Sequence, residues 1–158
     1  MANTQSMTTS FMGELLTATH NFGASPIRAA TTADTFKAAL YLTSATINAA
    51  TTAYTATGEV TGTNYSAGGV TVTNATAPLS TNSSATAGVA YWTPSASITY
   101  TTVTLSTAFD TVLIYNSTQS NKSVSVHTFG SQTITAGTFT LTMPSNTTST
   151  ALLRLATT

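Results

Sequence analysis

Phe109–Met143, FDTVLIYNSTQSNKSVSVHTFGSQTITAGTFTLTM, is the stretch whose pattern decides the fold. Val112, Leu113, Ile114 and Tyr115 form a nearly continuous apolar run, as expected of a strand covered on both faces. Asn116 to Asn121 is a polar break of turn-forming residues. Beyond it, Val124 and Val126 alternate with Ser123, Ser125 and His127, and Phe139, Leu141 and Met143 alternate with Thr138, Thr140 and Thr142. The spacing predicts three half-buried antiparallel strands in a meander, against which the upstream chain packs.

Working upstream, Thr35 to Leu42 (TFKAALYL) sets Phe36, Ala38, Leu40 and Leu42 against Lys37, Ala39 and Tyr41, a strand pattern. Val70 and Val72 follow the turn-permissive Gly68-Gly69 pair. Val89–Trp92 is a short apolar run closed by Pro94, and Ser97 to Leu105 alternates again. Thr150 to Ala156 supplies a last strand after the Pro144 to Ser149 turn. Seven to nine short strands at this spacing predict an all-β, antiparallel β-sandwich or jelly roll. The abundant threonine suits solvated sheet faces.

Phe11, Leu15, Ala18 and Phe22 recur at helical spacing, widened by Met12 and Leu16, which predicts a short N-terminal helix stopped at Gly23. Residues 1–9 are polar and without periodicity and read as a flexible arm; residues 10–158 read as one β-sandwich domain. Residues 43–68 form a long Thr-, Ala- and Gly-rich loop anchored by Ile47, Tyr54, Val60 and Tyr65. Loops of that length are uncommon and often functional. Arm and loop are both expected to order on contact with a partner.

Only 5% of the 158 residues are charged, against about a quarter in ordinary domains. They are Glu14, Arg28, Asp34, Lys37, Glu59, Asp110, Lys122 and Arg154, with net charge zero and no basic cluster. Nucleic acid and anionic lipid are thus not expected as partners. Cysteine is absent, which removes disulfides and thiolate ligands. No apolar run reaches the roughly 18 residues of a membrane span, and MANTQSMTTS lacks the positive start of a secretory signal, so synthesis in the cytoplasm is expected. A surface this neutral suits life within an assembly.

Ten titratable candidates, counting His20 and His127 with the eight charged residues, stand apart in the sequence, and no nucleophile elbow, phosphate loop or two-histidine metal spacing occurs. Asp110 and His127 could pair, but Asp110 reads as a turn cap and His127 as an outward or interface histidine. No enzyme and no cofactor are expected. Tyr65, Tyr91, Trp92, Tyr100 and Tyr115 could form an aromatic platform for sugar rings, or fill core and interfaces.

Several segments together resemble a family of small virion proteins from tailed bacteriophages found beside head and tail structural proteins. They are FMGELLTATHNFG at 11–23, DTFKAALYLTSATI at 34–47, TGEVTGTNYSAGG at 57–69, VAYWTP at 89–94, TAFDTVLIYN at 107–116, HTFGSQTITAGTFTLTMP at 127–144 and ALLRLA at 151–156. Asn64 departs from an expected glycine, Asp110-Thr111 from Arg-Gly, and Thr128 from Asp. The resemblance implies a β-sandwich that decorates or cements the capsid exterior, as a homodimer or homotrimer bound to the major capsid protein. Tail or baseplate membership, or a carbohydrate-binding adhesin module, are the alternatives. Phe11, Met12, Leu15, Leu16 and Tyr65 are the expected interface residues.

Overall fold

A computed structural model describes residues 3–8, 11, 15, 19, 20, 22, 33–74, 78–81 and 88–156. The described chain forms eight strands: β1 (Ser6–Met7), β2 (Phe36–Leu42), β3 (Val70–Val72), β4 (Leu79–Ser80), β5 (Val89–Trp92), β6 (Ile98–Asn116), β7 (Lys122–Leu141) and β8 (Leu153–Ala156). They make a five-stranded sheet, ordered β1-β7-β6-β2-β3, and a three-stranded sheet, ordered β4-β5-β8. Every pairing is antiparallel. Trp92 and Leu153 of the small sheet share one apolar cluster with Phe36, Leu40, Val112 and Ile114 of the large one, so the two sheets are arranged as in a sandwich. The short helix expected from Phe11 to Phe22 falls largely outside the described residues.

The expected meander is a single long hairpin. β6 runs 19 residues and β7 20, joined by the predicted turn after Asn116. That turn is built by the side-chain carbonyl of Asn116, which accepts from the N–H groups of Thr118 and Gln119. What looked like separate strands are segments of two strands whose side chains change face at bulges. Ile98 and Tyr100 are buried, then Val103 and Leu105, so the inward phase shifts by one across Thr101-Thr102. Register confirms it: Tyr100 faces Phe139, while Val103, three residues on, faces Gly137, two residues back. Thr102 holds the bulge at φ 53°. On β7, Ala136 sits at φ 44° where the ladder shifts again.

The expectation of a strand covered on both faces holds. Thr111 to Asn116 are all buried, as are Ala38 to Tyr41. One face of β2 places Phe36, Ala38 and Leu40 in the main core. The other places Ala39 and Tyr41 in a second cluster with Leu113, Tyr115 and Val126. The cover over this second face is the 43–68 segment, through Ala45, Ile47 and Tyr54. Full burial of a Leu or Phe side chain is worth about 1.5–3 kcal/mol, so the segment stabilises the sheet it crosses.

This corrects the expectation that 43–68 orders only on contact. Its backbone is tied down along its length: Leu42 N–H to Gly58 O at 2.9 Å, Val60 N–H to Leu40 O at 3.0 Å, and Tyr54 N–H to Asn121 O at 2.9 Å. A chain that can satisfy its peptide groups this way needs no regular strand to be fixed. Gly69 ends the segment at φ 72°, and a Cβ there would lie 1.6 Å from Ala38 O. Only glycine fits so close an approach.

Asn3 to Thr8, read from the sequence as part of a free arm, are instead held by the body: Ser6 to Thr8 lie along the β7 edge of the large sheet, and Asn3 and Thr4 bond to the 43–68 segment. Ser6 and Met7 pair with Val126 and Ser125, and Thr8 N–H donates to Val124 O. Asn3 is a clasp: its amide donates to Leu42 O and Asp110 Oδ1, and its carbonyl accepts from Ile47 N–H. An edge with open peptide groups is a template for such a strand.

Candidate functional site

Of the five expected interface residues, Met12 and Leu16 lie outside the described set. Phe11 is 2% exposed and meets His20 and Phe22 edge-on, at ring-centre distances of 4.8 and 5.9 Å. Phe22 in turn stacks on Phe36 at 4.4 Å and tilts against Trp92 at 4.7 Å. Phe11 therefore caps the seam between the sheets. Leu15 is half-buried and lines an apolar cavity of about 110 Å³ there, with Met7, Phe22, Trp92 and Leu153.

Tyr65 belongs to a buried polar knot that the sequence did not announce. Glu59, 8% exposed, accepts from the Tyr65 hydroxyl at 2.7 Å, from Gly68 N–H at 2.7 Å and from the Tyr54 hydroxyl at 2.6 Å. The Tyr65 oxygen also accepts from Leu40 N–H at 3.0 Å. One carboxylate thus fixes Tyr54, Tyr65 and Gly68 through charge-assisted bonds, and Tyr65 in turn ties the 43–68 segment to β2. Burial, then the bond to Glu59, pushes the Tyr54 hydroxyl up to about 12. Burial raises Tyr41, Tyr65, Tyr100 and Tyr115 as well. All five stay protonated donors at neutral pH. The legible signal was an isolated acid flanked by Tyr54 and Tyr65.

Asp110 and His127 are not paired to each other. Asp110 Oδ1 accepts from Asn3 Nδ2 at 2.8 Å and from the neighbouring Thr111 hydroxyl at 2.7 Å. His127 Nε2 lies 2.9 Å from Ser125 Oγ, two residues back on the same face of β7. Burial lowers the imidazole to about 4, so it is neutral at pH 7, and the histidine read as outward or at an interface is half enclosed in the chain itself. Ser125 is 1% exposed, out of reach of a substrate carbonyl. A second buried cluster joins Asn116 Nδ2 to Asp34 Oδ2 at 2.8 Å and to His20 Nδ1 at 3.1 Å, with Gln119 Nε2 on Asp34 Oδ1. Since the Asn116 amide donates, His20 Nδ1 is the acceptor and its proton sits on Nε2. This cluster satisfies buried polar groups where β6 ends at Asn116.

The aromatic set divides between the interior clusters. Trp92, Tyr100 and Tyr115 are 2–3% exposed, and Tyr65 stacks on Tyr100 at 5.9 Å while Tyr115 stacks on Tyr54 at 4.8 Å. Tyr91 is half-buried. They form no common platform facing solvent.

What remains on the outside is a surface of hydroxyls. Thr99, Thr101, Thr102, Ser131, Thr138 and Thr140 are exposed along the hairpin. Among the six charged residues described, Asp34 and Glu59 are buried, Lys37, Asp110 and Lys122 half-buried, and Arg154 exposed. Leu79 and Leu155, each 46% exposed, are the large apolar side chains that protrude. Among the described residues no helix is long and apolar enough to cross a membrane. Among the described residues the candidate site is therefore a hydroxyl-rich surface of strands with little charge. No family model, curated protein or solved structure matches the chain.

Proposed function

We propose that the chain is a structural protein of a tailed-bacteriophage virion, a decoration protein that binds the outside of the major capsid protein lattice and stabilises the head. The observation that supports this best is a surface with very little charge, two of the six described charged residues being buried and a single one exposed, which leaves hydroxyl-rich strands over a core buried on both sheet faces. Such a surface has little long-range field with which to steer a charged ligand. It suits close, static contact with another neutral protein surface, through strand hydroxyls and the protruding Leu79 and Leu155. Repetition over a symmetric lattice makes modest contacts collectively strong. The sequence resemblance points the same way.

Phe11 and Tyr65 act from the inside in this reading, one closing the seam and the other fixing the 43–68 cover. The test is co-sedimentation of the purified protein with expanded heads that lack it, at low and at high salt. Saturable binding that barely responds to salt is expected, because few exposed charges contribute. Binding that collapses as salt rises, or sedimentation with tails and not heads, would overturn the assignment.

A further inference from the structure

The hairpin's two edges differ beyond the point where β2 stops. On the β6 side the chain around Gly62–Asn64 lies against the strand: Thr104 N–H donates to Thr63 O at 3.1 Å, and Asn64 Nδ2 donates to Thr102 O at 2.8 Å. On the β7 side, β1 pairs with Ser125 and Val126 only, and no described residue pairs with Gly137–Leu141 from outside. That stretch lies beyond the Ala136 irregularity; Gly137 faces Val103, and after one further shift Phe139–Leu141 run in step with Ile98–Tyr100. It lacks the usual edge protection, having no charge and no proline before Pro144.

The chemistry of this edge specifies what fits it. On one face Thr138, Thr140 and Thr142 are exposed; on the other Phe139, Leu141 and Met143 are only half-buried, their outer flanks left open where the sheet ends. An added strand must present hydroxyls on one face and apolar groups on the other, with no charge. The same segment of another copy meets that requirement. Residues 123–153 contain no Asp, Glu, Lys or Arg, so pairing about a two-fold axis, which brings a strand against itself, meets no like-charge repulsion. The cross-strand hydroxyl contact already made between Thr99 and Thr140, at 3.5 Å, would continue across the axis as further threonine pairs.

We propose that Gly137–Met143 pairs antiparallel with its counterpart in a second copy of this chain, joining two hairpins into one four-stranded ribbon. The proposal rests on the fold and not on head binding, so either can fail alone. Because the chain has no cysteine, a single introduced thiol reports the contact directly. Thr138→Cys, Thr140→Cys and Thr142→Cys should form intermolecular disulfides under mild oxidation, and the equally exposed Thr61→Cys and Thr101→Cys should not. Light scattering on the unmodified protein should show a concentration-dependent dimer, and Thr138→Lys/Thr140→Lys should weaken it about tenfold by opposing like charges. A monomer at every concentration, with edge thiols no faster than the controls, would overturn the proposal. So would a dimer indifferent to the lysines and cross-linking at the control positions, or a free monomer whose edge is protected only on heads, which would assign the slot to the capsid protein.

Discussion

Replacing Tyr65 by phenylalanine removes one oxygen that serves two partners. The hydroxyl donates to Glu59 at 2.7 Å and accepts from Leu40 N–H at 3.0 Å. Leu40 is fully buried, so its N–H is left without a partner or water, at about 1–3 kcal/mol. Loss of a hydrogen bond to a charged group adds about 1.5–3 kcal/mol. The two effects share an atom and do not simply add; roughly 3–4 kcal/mol is expected, with the ring and its stacking on Tyr100 retained. Urea unfolding followed by fluorescence of Trp92, the single tryptophan, is the assay. At a slope of about 2 kcal/mol per molar the midpoint should fall by roughly 1.5–2 M. Tyr54→Phe, which loses one bond to the same carboxylate, should cost about half as much. A Tyr65→Phe loss below about 0.5 kcal/mol would refute the view that the Glu59 knot fixes the 43–68 cover.

Three further outcomes follow from the same structure. His127 has an ordinary value of 6.5 and a folded value of about 4, so between these the unfolded chain binds a proton that the folded chain refuses. Stability should fall as pH drops through that window, by up to roughly 3 kcal/mol, and His127→Asn should flatten the pH dependence of the urea midpoint. Gly69→Ala would drive a Cβ into Ala38 O at a positive φ; a loss beyond roughly 3 kcal/mol is expected, read as little folded protein by circular dichroism, and a normal melt would contradict the close approach. Thr102→Gly should raise the melting temperature, because a β-branched residue at φ 53° costs roughly 1–2 kcal/mol that glycine does not. A lower melting temperature would count against strain at that bulge.

The sequence carried the strand class plainly, and two-sided burial at Val112–Tyr115, which is apolar at consecutive positions; at Phe36–Leu42, where Lys37 interrupts the run, it showed a strand but not the burial of both faces. It carried the Gly68-Gly69 turn as well, and both glycines have positive φ. The long hairpin was harder. A bulge reverses which alternate residues point inward, so one strand of 19 residues imitates two short ones. The clue was present in the doubled polar pair Thr101-Thr102 between Tyr100 and Val103. Asn64 offered another, since it stands where the resemblance expects glycine and adopts φ 60°. The edge strand at Ser6–Met7 was illegible, because two residues give no period and its support comes from β7, about 120 positions away. The polar clusters were hidden for the same reason: Asp34 and Asn116 are 82 positions apart, and no local spacing announces their contact.

The most direct test of the central claim is an electron-microscopy reconstruction of mature heads, prepared without this protein and then saturated with it. The account predicts added density at symmetric positions on the outer surface of the capsid lattice, into which the two-sheet body fits with hydroxyl-rich strands toward the shell. Heads that remain bare at saturating protein, with density on tails or nowhere on the particle, would contradict it.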